Sequence, residues 1–412
     1  MSARIPRRFA AVPGGPPRSP WVDVAQAAAA LATGVGVGRF AYTPILPLMQ
    51  TQAGLSAGAA ANLATANYVG YLVGALAGIL VPALVRSPTV LRGSLIVLVA
   101  TLAGMPATQS TTVWIVLRLV AGVTSALIFV MAVSSLLSHL RTHPAHLPGW
   151  AFGGVGAGIA LSGLLVLGLR SAADWRAAWW ASAGLAALLA LASWSLRPEA
   201  APASAAATTQ RSSTRTHRWF TALFASYALE GIGYIIAGTF LVAAIESSAP
   251  GWIGSGAWVL AGLAAVPSSA LWAWLSRRWS RPGLLCAALV VQAVGIALPA
   301  LIGGVTAALI SAFLFGATFL GISTIALAAG AHLRFPRSVA LLTTGYSAGQ
   351  ILGPLVVTPL LGHGYRQALI VAAVVVLAAA LAAAVLRIGF PHHMPAEHAS
   401  GQALVPGVRY RP

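Results

Sequence analysis

Three ionisable side chains stand inside long apolar runs of this 412-residue chain: Arg39, Arg118 and Glu230. A guanidinium in such a place offers a planar fork of donors suited to a carboxylate or a phosphate. A carboxyl there can load and release a proton, because burial and neighbouring cations pull its protonation in opposite senses. Each charge costs about 2.5–3.5 kcal/mol at mid-membrane on insertion scales, so it is kept when it meets a cavity, a partner or a substrate. Tyr42 follows Arg39 by three residues, and Tyr227, Glu230 and Tyr234 recur at steps of three and four, which places them on one helical face. Asn67 and Gln350 add hydrogen-bonding groups in other apolar runs. The set Arg39, Tyr42, Asn67, Arg118, Tyr227, Tyr234 and Gln350 is the candidate substrate site, with Glu230 as the candidate proton carrier. The structural alternatives stay open at this point. Arg39 can pair with Glu230 or with helix-end carbonyls, Glu230 can be a static ion-pair partner, and Arg118 can serve packing.

These residues need helices to hold them. The chain is 58% hydrophobic and 7% charged, against about 25% charged for a soluble domain. Its solvent is therefore lipid, and a polytopic membrane protein follows. Spanning segments need about 20 mostly apolar residues, and twelve runs qualify: 22–48, 57–85, 90–108, 111–138, 148–170, 175–196, 219–245, 253–276, 282–302, 305–332, 338–361 and 366–388. They are too long and too little alternating for barrel strands, so an all-α bundle of twelve transmembrane helices is expected. At about 1.5 Å per residue, Arg39 and Glu230 fall near mid-membrane, about 16 residues from Asp23 and about 12 from Arg218; Arg118 lies shallower. All three could share one polar chamber.

The net charge of +18 is carried by arginine alone. With the N-terminus inside, nearly all arginines fall on the inner side and only Arg170, Arg176 and Arg366 on the outer, which places both termini in the cytoplasm. That bias accounts for the charge without nucleic acid. Residues 197–218 are Ala/Ser/Thr-rich with scattered arginine and read as a cytoplasmic linker. The expected organisation is a tail (1–21), a six-helix bundle (22–196), the linker (197–218), a second bundle (219–388) and a tail (389–412). The halves look alike at an offset of about 190 to 196 residues: "GVGRFAYT" at 36–43 lies over "GIGYIIAG" at 231–238, and "GWAFGGVGAG" at 149–158 over "GYSAGQILGP" at 345–354. Parallel repeats of this kind imply a central site between two halves.

Twelve spans, a six-plus-six repeat and a central linker resemble the major facilitator superfamily. "GVGVGRFAYTPILPLM" at 34–49, "ANYVGYLVGALAG" at 66–78 and "YALEGIGYIIAGTFL" at 227–241 resemble its YbfB/YjiJ branch over roughly residues 22 to 388. The resemblance implies two pseudo-symmetric six-helix bundles, with the first, fourth, seventh and tenth helices lining a cavity. Arg39, Arg118 and Glu230 fall on the first three of these. "RLVAG" at 118–122 resembles a fourth-helix pattern associated with proton coupling. The loop after the second helix, "GALAGILVPALVRSP", departs from the family in lacking its usual Asp, which puts the usual charge relay there in doubt.

Glycine rows at steps of four mark close helix contacts: Gly70, Gly74 and Gly78; Gly345, Gly349 and Gly353; Gly149 with Gly153; and Gly154 with Gly158. The resemblance assigns the second, fifth, eighth and eleventh helices to the contact between halves, so the rows are expected there. Pro44 and Pro47 are expected to bend the outer end of the first helix, as a gate or as a static kink. "DWRAAWW" at 174–180 reads as an interface anchor capped by Asp174. His139, His143 and His146 read as a solvated loop rather than a metal site. Cys286 is alone, so no internal disulfide forms. Without lysine there is no Walker motif, and the spans offer no His–carboxylate pair for catalysis. The expected protein is no enzyme, has no cofactor, metal or catalytic residue, and sits as a monomer in a bacterial inner membrane. It is expected to move a small, anionic organic solute by proton-coupled alternating access. The alternative is a proton-driven exporter of apolar or cationic compounds with Glu230 as its cation site.

Overall fold

The computed structural model describes residues 19–140, 147–171, 174–198, 214–248, 251–333 and 335–390. Nearly all of the expected tails, most of the linker, and His143 and His146 lie outside the described residues. All regular structure described is helical. The helices are α1 (Pro20–Leu31), α2 (Tyr42–Ala53), α3 (Ala57–Leu80), the single turn α4 (Pro82–Val85), α5 (Pro88–Gly104), α6 (Thr111–His139) and α7 (Leu147–Leu169). They continue as α8 (Trp175–Ala192), α9 (Thr214–Ser248), α10 (Ile253–Leu275), α11 (Arg281–Leu301), α12 (Gly304–His332), α13 (Ser338–Val357) and α14 (Tyr365–Leu386).

Eleven segments among the described residues are long and apolar enough to cross a membrane. The remaining run forms α8, an 18-residue helix that is not one of the eleven, because Arg176 and three tryptophans dilute its apolar character. Asp174 caps it, accepting from the Ala177 amide at 2.9 Å. Only one of those tryptophans is placed as an interface anchor would be: Trp180 is exposed, whereas Trp175 and Trp179 are buried, Trp175 edge-on to Trp114. The seventh run starts early, at Thr214, so α9 takes up the end of the expected linker.

The first run is three pieces rather than one helix. After α1 the chain enters a π-helical segment, Ala32–Val37, then a turn over 38–41, then α2. The hydrogen bonds record the widening: the Gly38 and Phe40 amides reach five residues back, to Thr33 and Val35. Pro44 and Pro47 carry no N–H, so the carbonyls four residues before them lose their helical donors. The Phe40 carbonyl accepts instead from Thr43, at 3.2 Å.

Close packing sets the bundle, and the early and late helices meet on the expected elements, though two of the glycine rows face elsewhere. A Cβ on Gly70 or Gly74 would strike the α6 backbone at Leu119 or Val123, and one on Gly349 or Gly353 would strike α9 at Ala228 or Ile232. Those rows therefore bind α3 to α6 and α13 to α9. Of the two α7 rows, Gly154 and Gly158 face α1 and the π segment, while Gly149 and Gly153 face Ala270 and Val266 on α10. A four-residue step fixes that a helix approaches closely; it does not say which helix. The glycine seam between early and late helices is α7 on α10, and α3 meets α13 beside it.

Candidate functional site

Arg39 sits on the turn between the π segment and α2, 4% exposed. π-bulges of this kind recur at functional sites. The break would leave carbonyls stranded, and a second arginine captures them. Arg118, on α6, donates from Nη1 to the Gly38 carbonyl at 3.3 Å and from Nη2 to the Arg39 carbonyl at 3.2 Å. Its Cζ lies 4.9 Å from the Tyr42 ring centroid, and the Tyr42 hydroxyl donates to the Ala60 carbonyl at 2.9 Å. Asn67 donates to the Arg118 carbonyl at 2.9 Å, one turn into the same junction. Arg118, Tyr42 and Asn67 thus form the frame of the break.

The Arg39 side chain is held differently. Its Nη2 donates to Gln350 Oε1 of α13 at 2.5 Å, and Gln350 Nε2 donates to the Tyr234 hydroxyl at 3.1 Å. The Tyr68 and Tyr71 ring centroids each lie 4.7 Å from its Cζ, a cation–π distance. Its Nε is buried without a hydrogen-bond partner. Tyr68 also meets Thr239 of α9, hydroxyl to hydroxyl at 2.7 Å. A guanidinium buried among neutral groups carries an uncompensated positive charge.

Glu230 does not pair with Arg39. Its carboxyl is 1% exposed, within reach of the Gln292 amide of α11, but neither side chain completes a hydrogen bond to the other or elsewhere. Tyr234 and Tyr346 stand within electrostatic reach of both Arg39 and Glu230. They belong to a run of near-parallel rings. Tyr227 stacks on Tyr346 at 4.3 Å and 13°, Tyr346 on Tyr234 at 5.3 Å and 10°, and Tyr234 on Phe319 at 6.1 Å and 4°. Arg39, Gln350 and Tyr234 are therefore in one connected cluster, Tyr227 extends it through Tyr346, and Glu230 lies beside Gln292.

The residues that sequence reasoning missed are Gln292, Tyr68, Tyr71, Tyr346 and Phe319. A lone amide inside "LLCAALVVQAVGIAL" is a signal of the same kind as Asn67, and could have been taken. The others carry no charge, and only their convergence on Arg39 singles them out.

Along α2 and at its far end, contacts join early and late helices. Thr43 donates to the Gly238 carbonyl at 2.6 Å, Gln50 bonds the Tyr365 hydroxyl, and Arg170 pairs with Glu246 at 2.8 Å. Among the described residues, no group of three or more His, Cys, Asp or Glu is placed to hold a metal.

The sequence model of the family described as "Uncharacterised MFS-type transporter YbfB" matches residues 31–385. The chain belongs to this family. It is an MFS-type membrane transporter, and its setting is a lipid bilayer. Among solved structures, the family member resembles a mutant of the nucleoside transporter NupG, with a TM-score of 0.69 at 13% identity, covering 88% of this chain and 100% of that one. That likeness shows the fold. A search of curated proteins gives no match.

Proposed function

We propose that this MFS-type transporter moves a small organic anion across a bacterial inner membrane by proton-coupled alternating access, with both termini in the cytoplasm. The observation that carries the reading is the Arg39 guanidinium, buried with no carboxylate paired to it among the described residues and held by Gln350 and the faces of Tyr68, Tyr71 and Phe40. An anion would supply the missing charge. Arg118 is engaged with the backbone, so it shapes the site and adds positive potential. Residues 22–196 and 219–388 act as the two moving bundles, meeting along α7 and α10 and beside α3 and α13. The contacts at Thr43, Gln50 and Arg170 act as the closed outer gate. The protein works as a monomer and performs no covalent chemistry.

Glu230 is the proton carrier in this reading. A buried ionised carboxylate with neither counter-charge nor hydrogen bond is costly by several kcal/mol, and binding a proton removes most of that cost. Tyr234 and Tyr346, within electrostatic reach of both groups, link Glu230 to Arg39. The exporter alternative needs Glu230 to receive a cation directly from the path, and its burial against Gln292 does not favour that.

The test is uptake of labelled organic acids by proteoliposomes under an imposed pH gradient. Arg39→Ala is expected to abolish both binding and uptake, and Glu230→Gln to keep binding while losing gradient-driven accumulation. A protein that takes up only neutral or cationic compounds, with Arg39→Ala unaffected, defeats the proposal.

A further inference from the structure

The site reading leaves two features unused: the free edge of Arg39 and the parallel rings beside it. Arg39 Nη2 and Nε lie on one edge of the guanidinium. Gln350 Oε1 accepts from Nη2, and Nε is buried without a hydrogen-bond partner. A carboxylate fills such an edge with two parallel hydrogen bonds, where an amide oxygen fills half of it. An arriving carboxylate therefore displaces Gln350 and satisfies Nε at once. Gln350 also holds the Tyr234 hydroxyl, so its release frees the ring that lies between Tyr346 and Phe319. Those three rings are within 10° of parallel at each step, with centroid spacings of 5.3 and 6.1 Å. Tyr346 keeps some exposure while Tyr71, Arg39, Tyr234 and Gln350 are buried. Tyr346 is thus the least covered ring of the slab, and the cation lies among its buried neighbours.

From this juxtaposition we infer that the transported anion is a planar aromatic carboxylate, its carboxyl on the Nε–Nη2 edge of Arg39 and its ring stacked along Tyr346, Tyr234 and Phe319. A flat ring matches parallel faces; a puckered one of equal size and charge does not. This inference rests on Arg39 being the anion-binding group, and deepens that reading to a substrate class.

The experiment measures binding of benzoate, cyclohexanecarboxylate and benzamide to the purified full-length transporter by ligand-dependent thermal stabilisation. Benzoate is expected to bind about threefold to tenfold more tightly than cyclohexanecarboxylate, the gain that aromatic stacking adds beyond area. Benzamide is expected to bind weakest. Tyr346→Leu, at a partly exposed position, is expected to bring the ratio of benzoate to cyclohexanecarboxylate affinity down to about one. Equal affinity for the two acids overturns the aromatic assignment and leaves the anion reading standing. Benzamide binding as tightly as benzoate, unchanged in Arg39→Ala, overturns both, as does the absence of binding by all three. If Tyr346→Leu does not fold, the comparison of the two acids on the natural protein still decides.

Discussion

The first membrane run and α9 carry similar text and treat their backbones in opposite ways. "GVGRFAYT" belongs to a run that widens, turns and restarts; "GIGYIIAG" lies within 35 unbroken helical residues. The prolines at 44 and 47 account for the start of the difference, since α9 has Thr239 and Val242 at the aligned positions. They do not account for its survival. A break inside lipid persists only where stranded carbonyls find donors, and Arg118 provides two of them at Gly38 and Arg39. The break in turn holds Arg39 out toward α13, which an intact helix at that position would not do in the same way. α9, with no arginine bonded to its backbone among the described residues, keeps its own ladder and presents Tyr234 in place of a charge.

Four substitutions break or sharpen that contrast. Val242→Pro puts the α2 proline into α9 with no capturing arginine nearby; a loss of about 3 kcal/mol or more is expected, read as a collapse of the thermal transition of the detergent-purified protein. Arg118→Ala orphans two buried carbonyls, so about 2 to 3 kcal/mol is expected from the same melt. If Arg118→Ala proves neutral, the capture account fails. Thr43→Val removes the bond to Gly238 where the two runs touch. It should lower stability by about 0.5–1.5 kcal/mol and raise solvent labelling at the end where α2 finishes. Pro47→Ala should change stability least, by about 0.4 to 1 kcal/mol, because the break is already held by Arg118; healing of the helix there, seen as a gain in amide protection over 38–43, would show the proline rather than the arginine to be in control.

The helical runs, the charges buried within them and the break near Pro44 were legible because each rests on local composition. The site was legible as a set of residues and not as an arrangement. Nothing in "RLVAG" says that Arg118 turns to a backbone rather than to a substrate. Glu230 and Arg39 are both buried ions on cavity-lining helices by family resemblance, yet rotation about a helix axis decides whether they meet: Arg39 bonds Gln350, and Glu230 lies beside Gln292. Gly70 and Gly349 show the same limit: spacing marks a smooth stripe, and the partner is fixed only by how several helices pack at once. The aromatic slab was hidden for a further reason. Its rings come from α9, α12 and α13, and no one segment carries the pattern.

The bond between Arg39 and Gln350 joins residues 311 positions apart. At about 5–20 residues per second on the ribosome, the amide is made about 15 to 60 s after the cation it will hold. The faces of Tyr68 and Tyr71 arrive within a few seconds, one helix later, and form the early shelter for a guanidinium already committed to lipid. Those two tyrosines therefore act first in the life of the chain as escorts for a stranded ion, and a nascent chain lacking them should stall at insertion of its opening helix before any later segment has been made.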